Sequence, residues 1–348
     1  MVGKLVLQDG SVYDGTLIGA KKVAFGELVF TTSMTGYYET LTDPSYNGQI
    51  VLFSYPLIGN YTASDEYESD RIRAWGVVTS SIYEHSDIDY RLRKDGIPGI
   101  TGIDTRSIVR KIRNHGTMKA IIGDIEKNIA LNIINARPNP DKMDLVNHAG
   151  TDKVVRIDNN KRVTFAVIDV GVKRGILSNL SKYGNIVLLP YTTSYNELKN
   201  MDVNAMVISN GPGDPGHASL ENVRDLIRRA MHNYPLLGIC LGHQLIALAS
   251  GAEIYKMKFG HRGVNHCVKY NGRIYVTSHN HGYAVSSNRL PDGFTITYVD
   301  INDGTIEGLK HKDLPIITTQ YHPEAAPGPN DTSFIFDEFH KMVIDFDR

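Results

Sequence analysis

The chain has 348 residues, 41% hydrophobic and 22% charged, an ordinary globular composition that is longer than one core usually supports, so two domains are expected. Its 37 basic and 38 acidic residues leave a net charge of -1, and no global field recruits nucleic acid or an anionic membrane. Two cysteines, Cys240 and Cys267, are too few for a disulfide framework, no apolar stretch is long enough to span a bilayer, and Met1-Val2-Gly3-Lys4-Leu5 passes straight into strand-like alternation, so a cytoplasmic protein is expected.

Residues 1 to about 135 are rich in short strand signals. Leu5-Val6-Leu7, Asp9-Gly10 and Val12-Tyr13 have the apolar runs and turn dipeptide of a hairpin, and residues 26–30 and 49–54 add strands. Between them, residues 35–46 are dense in hydroxyls and aromatics and read either as a polar surface loop or as a loop that meets a ligand or the other domain. Asp65, Glu66, Glu68 and Asp70 form an acidic cluster expected on a solvated face, while Ile108, Val109 and Ile112 have helical spacing. From Arg137 to Arg162 the pattern dissolves into prolines, Asn159-Asn160 and scattered charge, which places a domain boundary there.

Beyond Val163 strands and helices alternate. Residues 163–170 are nearly continuously apolar, as in a strand covered on both faces, and a helical stretch follows from Lys173 to Tyr183. Next come a strand at 186–189, a helix near Glu197, a strand at 205–209, and a helix with Leu220, Val223, Leu226, Ile227, Ala230 and Met231 on one face. Such alternation predicts a parallel sheet with right-handed crossovers, whose ligands collect at the carboxyl ends of the strands. After Gly251 the pattern turns antiparallel: residues 264–270 and 273–278 flank Asn271-Gly272, a strong hairpin signal. A final strand at 315–321 and a helix at 334–346 close the chain.

The chemistry gathers around Gly238-Ile239-Cys240-Leu241-Gly242-His243-Gln244, where a buried strand ends in a sharp turn and a helix begins. Flanking glycines suit a nucleophile elbow with Cys in place of Ser, and a helix N-terminus favours a thiolate; alternatively Cys240 is a small buried hydrophobe. A thiolate acting on an acyl group needs a base, a group to orient the base, and oxyanion donors. His322-Pro323-Glu324 offers the first two, although most such tripeptides are turns. Gly211, Gly213 and Gly216 satisfy G-x-G-x-x-G, yet Pro212 and Pro215 remove N–H groups and the motif follows the third strand of its domain, so oxyanion donors at Gly211 or Gly213 and Leu241 fit better than a dinucleotide. His261, His266, Cys267, His279 and His281 cluster in sequence, and His279 and His281, two apart on a strand, would share a face; they could form a metal site but lack the familiar zinc spacings, so polar residues lining a pocket or satisfied locally are expected, and no metal.

These pieces, with Asn210-Gly211-Pro212-Gly213-Asp214-Pro215, resemble the class I, triad-type glutamine amidotransferases. Residues 35–46, Gly102-Ile103-Asp104-Thr105-Arg106, Met257 to Gly263, Asn280-His281-Gly282-Tyr283 and Pro323 to Pro329 further resemble the small, glutaminase subunits of carbamoyl-phosphate synthetase, nearly from end to end. The resemblance implies an α/β fold: an N-terminal strand-rich α/β domain over 1–150, which contacts a large subunit and contributes to the glutamine pocket, plus a C-terminal amidotransferase domain over 160–348 with a mainly parallel central sheet. It implies that Cys240 attacks the glutamine amide, His322 moves protons and Glu324 orients His322. Ser45, Gly211, Gly213, Leu241, Gln244, Asn280, Gly282 and Tyr283 match glutamine-binding positions; many relatives have Gln at His279 and Phe at Tyr283, which bears on pocket polarity. The chain has no G-x-x-x-x-G-K-[ST], so no cofactor is expected on it, and ATP and Mg are expected on a large synthetase subunit that receives ammonia through a tunnel. The rival readings are an amidotransferase of anthranilate or guanylate synthesis, and a regulatory subunit whose thiol is structural.

Overall fold

The computed structural model describes residues 2–61, 67–290 and 293–346. The chain forms two compact units, residues 1–145 and 146–348. Among the described residues no helix is long and apolar enough to cross a membrane.

In the first unit, strands close a barrel in the order Val2–Leu7, Val12–Gly19, Pro98–Thr101, Gly76–Val78, Gln49–Phe53, Ala24–Thr31 and Met118–Gly123. The expected first hairpin forms, with Gly10 at φ 84, a conformation open to glycine without steric cost. Residues 35–46 are not a surface loop. They fold into a helix, Tyr37–Thr42, and a 3-10 turn, Pro44–Tyr46, and drive Tyr37, Tyr38, Leu41 and Tyr46 into a buried cluster with Val29, Val51 and Phe53. Each such side chain contributes about 1.5–3 kcal/mol on burial, which outweighs the loop-like composition. The acidic cluster is also split: Glu68 is buried, Asp70 is exposed and paired with Arg73 at 2.7 Å, and Asp65 and Glu66 lie outside the described residues.

The second unit is built on a ten-stranded sheet, whose strands Gly184–Pro190, Val163–Asp169, Ala205–Ile208, Leu236–Ile239 and Ile316–Thr319 run parallel to their neighbours. Alternate residues of a strand point to opposite faces. Phe165 and Val167 therefore pack with Leu180, Phe336 and Phe339, while Ala166 and Ile168 pack with Val223, Ile227 and Leu245. Burial on both faces is why this strand reads as continuously apolar.

An antiparallel wing extends the sheet through Ile306–His311, Arg273–Val285, Ile254–Tyr270 and Phe294–Asp300. Asn271 and Gly272 both take positive φ, 47 and 77, as a type I′ turn requires. The two hairpin strands are much longer than their apolar alternation indicates, because register shifts between Lys256 and His261 and between Gly263 and His266 break the pattern without ending the pairing. The extended strand Arg273–Val285 carries Asn280, Gly282 and Tyr283.

Candidate active site

Cys240 sits between the strand Leu236–Ile239 and the helix Leu241–Ala249, at φ 53 and ψ -103, strained geometry for a residue with a side chain. Local packing imposes that turn. A Cβ on Gly242 would stand 2.1 Å from the Ile208 carbonyl oxygen and one on Gly238 2.7 Å from that of Gly242, so only glycine lets helix and sheet approach so closely. The Cys240 N–H donates to Thr319 O at 2.8 Å and its carbonyl accepts from Gln244 N–H at 3.2 Å, fixing the elbow from both sides. The thiol is buried, with Sγ 3.6 Å from Asn280 O.

His322 follows the parallel strand Ile316–Thr319 and is tied to the antiparallel wing by its N–H, which donates to Ser278 O at 2.9 Å. Its Nδ1 donates to Glu324 Oε1 at 2.6 Å, while Nε2 has no hydrogen bond of normal geometry among the described residues. Burial alone lowers the imidazole's pKa, but the charges of Glu324 and of Cys240 raise it to about 10, so His322 is cationic at neutral pH. Burial would likewise raise Glu324; the ammonium of Lys173, 3.0 Å from Oε1, and His322 instead hold it at about 2. Lys173 is itself buried and also donates to Ala325 O at 2.5 Å. Sequence reasoning missed Lys173. Its one signal is position, just past the carboxyl end of Val163–Asp169, where a parallel sheet gathers its ligands.

The glycine turn lies against the elbow. A Cβ on Gly211 would be 2.1 Å from Val170 O and 3.0 Å from Leu241 Cδ2, so this residue too must be glycine. Gly213 has φ 95. The Gly242 N–H is engaged with Ser209 O at 3.1 Å, whereas Leu241 opens the helix, where N–H groups have no intrahelical acceptor. The turn does not lead directly into a helix as a dinucleotide motif would: a 3-10 turn, Ala218–Leu220, precedes the helix Glu221–Ala230.

The other candidates of the second unit fall around this centre. Gln244 braces it, donating from Nε2 to Tyr283 O and to Gln320 Oε1, both at 2.9 Å. Asn280, Gly282 and Tyr283 share the strand Arg273–Val285. Ser45 belongs to the first unit, buried on the turn Pro44–Tyr46 with its N–H donating to Asp43 Oδ1 at 2.8 Å. His243, in the elbow itself, is structural: burial lowers its pKa to about 3, and Nδ1 lies 2.7 Å from Thr318 Oγ1.

The family profile described as carbamoyl-phosphate synthase small chain, CPSase domain, matches residues 5–122, and that of glutamine amidotransferase class-I matches residues 166–342. Carbamoyl phosphate synthase small chains of Staphylococcus epidermidis and Clostridium acetobutylicum are each 44% identical to this chain, over 98% and 97% of it and 96% and 99% of their own lengths. That of Archaeoglobus fulgidus is 42% identical over 99% of this chain and 100% of its own.

Proposed function

The chain belongs to the family of carbamoyl phosphate synthase small chains, and from that premise we propose that it hydrolyses L-glutamine through a γ-glutamyl thioester on Cys240 and passes the ammonia to a large ATP-dependent subunit. That partner holds ATP and Mg and makes carbamoyl phosphate from bicarbonate, for arginine and pyrimidine biosynthesis. The observation that carries the reading is the buried line of Cys240, His322 and Glu324, with Lys173 completing the charge.

The sulfur of Cys240, whose proton the cationic His322 already holds, bonds to the side-chain carbonyl carbon of glutamine as the carbonyl's π pair moves to oxygen. Leu241 N–H and the N–H of Gly211 or Gly213 stabilise the oxyanion; removing one such donor costs about 10²–10³ in rate. His322 returns its proton to the departing nitrogen, the C–N bond breaks and ammonia leaves. Water, deprotonated by the now neutral His322, then releases glutamate. Gln244, Asn280, Gly282 and Tyr283 hold the amino-acid part of glutamine.

Cys240→Ala, purified with the large subunit, tests this with both nitrogen sources. Glutamine-dependent synthesis is expected to fall on the order of 10⁴–10⁶-fold while ammonia-dependent synthesis persists. Loss of both would sink the assignment.

A further inference from the structure

On the far side of the Asn280 segment, three strands bring His261, His279, His281 and Glu307 together, all four buried, with their facing donor atoms within 4.8 Å of one another. His261 is on Ile254–Tyr270, His279 and His281 on Arg273–Val285, and Glu307 on Ile306–His311. The spacing that counts against a metal in the linear sequence is irrelevant here, because the register pairs His261 with His281 and the period of two puts His279 on the same face.

The outer nitrogen of each ring fixes its tautomer. His281 Nδ1 lies 2.9 Å from Tyr283 O, a carbonyl that can only accept, so in the neutral ring Nε2 carries a lone pair. Thr277 Oγ1 donates to His266 O at 3.0 Å and therefore accepts from His279 Nε2, 2.7 Å away, which leaves Nδ1 of His279 as a lone pair. His261 Nε2 donates to the Asp303 carboxylate at 2.8 Å, leaving its Nδ1 bare. The inner nitrogens thus face one another as acceptors, His279 Nδ1 and His281 Nε2 only 3.2 Å apart. Glu307 adds a carboxylate neither of whose oxygens has a hydrogen bond, and His261 Nδ1 has none either. Its oxygens stand 3.4, 3.5 and 3.6 Å from His261 Nδ1, His279 Nδ1 and His281 Nε2.

Converging lone pairs favour a cation at their centre. These four separations, 3.2 to 3.6 Å, approach the ~3.3 Å edge of a tetrahedron with bonds of about 2.0–2.1 Å, the geometry of zinc with imidazole and carboxylate ligands. The outer partners supply what metal-bound histidines use: a carboxylate, a carbonyl and a hydroxyl on the second ring nitrogen. We propose that His261, His279, His281 and Glu307 form a closed, four-ligand site for a divalent cation of the zinc class, holding the wing in the register that presents Asn280, Gly282 and Tyr283. Asp303, the partner of His261 Nε2, also lines a surface cleft with Glu253, Tyr255 and Asn288. In the absence of metal, protons are the competing cations: burial raises Glu307 to about 8, and its carboxylate neighbours raise His261 to about 9 despite burial.

The test uses the full chain purified without a histidine tag. Zinc is expected at about one per chain, and after chelator stripping, Co²⁺ should restore one equivalent with the intense visible bands of tetrahedral cobalt. His279→Gln and Glu307→Gln should lose the equivalent and the bands, and His85→Asn, on an exposed loop, should keep both. A folded native chain that takes up no Co²⁺ with this signature is held by protons alone, and the proposal fails. It fails equally if both cluster variants retain the metal. These readouts do not depend on glutamine turnover, so failure here and failure of the glutaminase reading are distinguishable.

Discussion

Two fully buried glutamates of the second unit stand beside histidines and have opposite fates. Glu324 has a lysine ammonium at 3.0 Å and an imidazolium at 2.6 Å, and burial loses to them: its pKa is pulled down to about 2. Glu307 faces three histidines, none in a hydrogen bond of normal geometry; His261, 3.4 Å away, pulls its pKa down, but burial wins, taking it to about 8. Proximity to histidine therefore does not define a carboxylate's role. The direction in which the ring's proton points does. In the triad His322 turns Nδ1–H toward its glutamate; in the wing the histidines turn their protons outward, to Asp303, Thr277 and Tyr283, and present bare nitrogens. The first arrangement makes a base with a fixed orientation, the second a cation's cradle.

Breaking the triad side should have the largest effect. Glu324→Gln keeps the shape but removes the charge that orients and protonates His322, and a loss on the order of 10⁴ in glutamine-dependent kcat is expected, with ammonia-dependent synthesis in the reconstituted complex intact. Lys173→Met turns Glu324 toward the condition of Glu307, leaving a buried carboxylate with one partner. It should cost about 3–5 kcal/mol of stability, measured by denaturant unfolding at neutral pH. The pH dependence sharpens the contrast. Because Glu324's folded pKa lies below its unfolded value of 4.5, its stabilisation is present at neutral pH and is lost as pH falls from about 4.5 toward about 2. Lys173→Met should flatten that acid limb, and an unchanged limb would mean that Lys173 does not hold Glu324 ionised.

The wing should respond less, and with a sign set by metal. Glu307→Gln in the stripped chain removes an unsatisfied buried carboxyl and should be neutral or stabilising by about 1–2 kcal/mol; in the zinc-loaded chain the same change removes a ligand and should lower the melting temperature. The same sign under both conditions would erase the distinction between the two glutamates.

Local spacing made half of this legible. The glycines around Cys240, the spacing of His322 and Glu324 across Pro323 and the strand-helix alternation are short-range constraints written where they act, and the 2.1 Å clash that a Cβ would make at Gly211 and at Gly242 explains why those residues are small. Residues 35–46 misread as a loop because hydroxyls and prolines mark turns, while the burial of Tyr37, Tyr38 and Tyr46 depends on strands far along the chain. The length of the wing was hidden by register shifts, and with it the pairing that adds His261 to the face that a period of two assigns to His279 and His281.

From the sequence alone came the elbow, the candidate nucleophile and base, and the family to which the chain belongs. Only the tertiary structure could supply Lys173 to Glu324 and withhold any such partner from Glu307, because the charge of a buried group is set by what distant strands place within 3–4 Å of it, and no spacing along the chain encodes that distance.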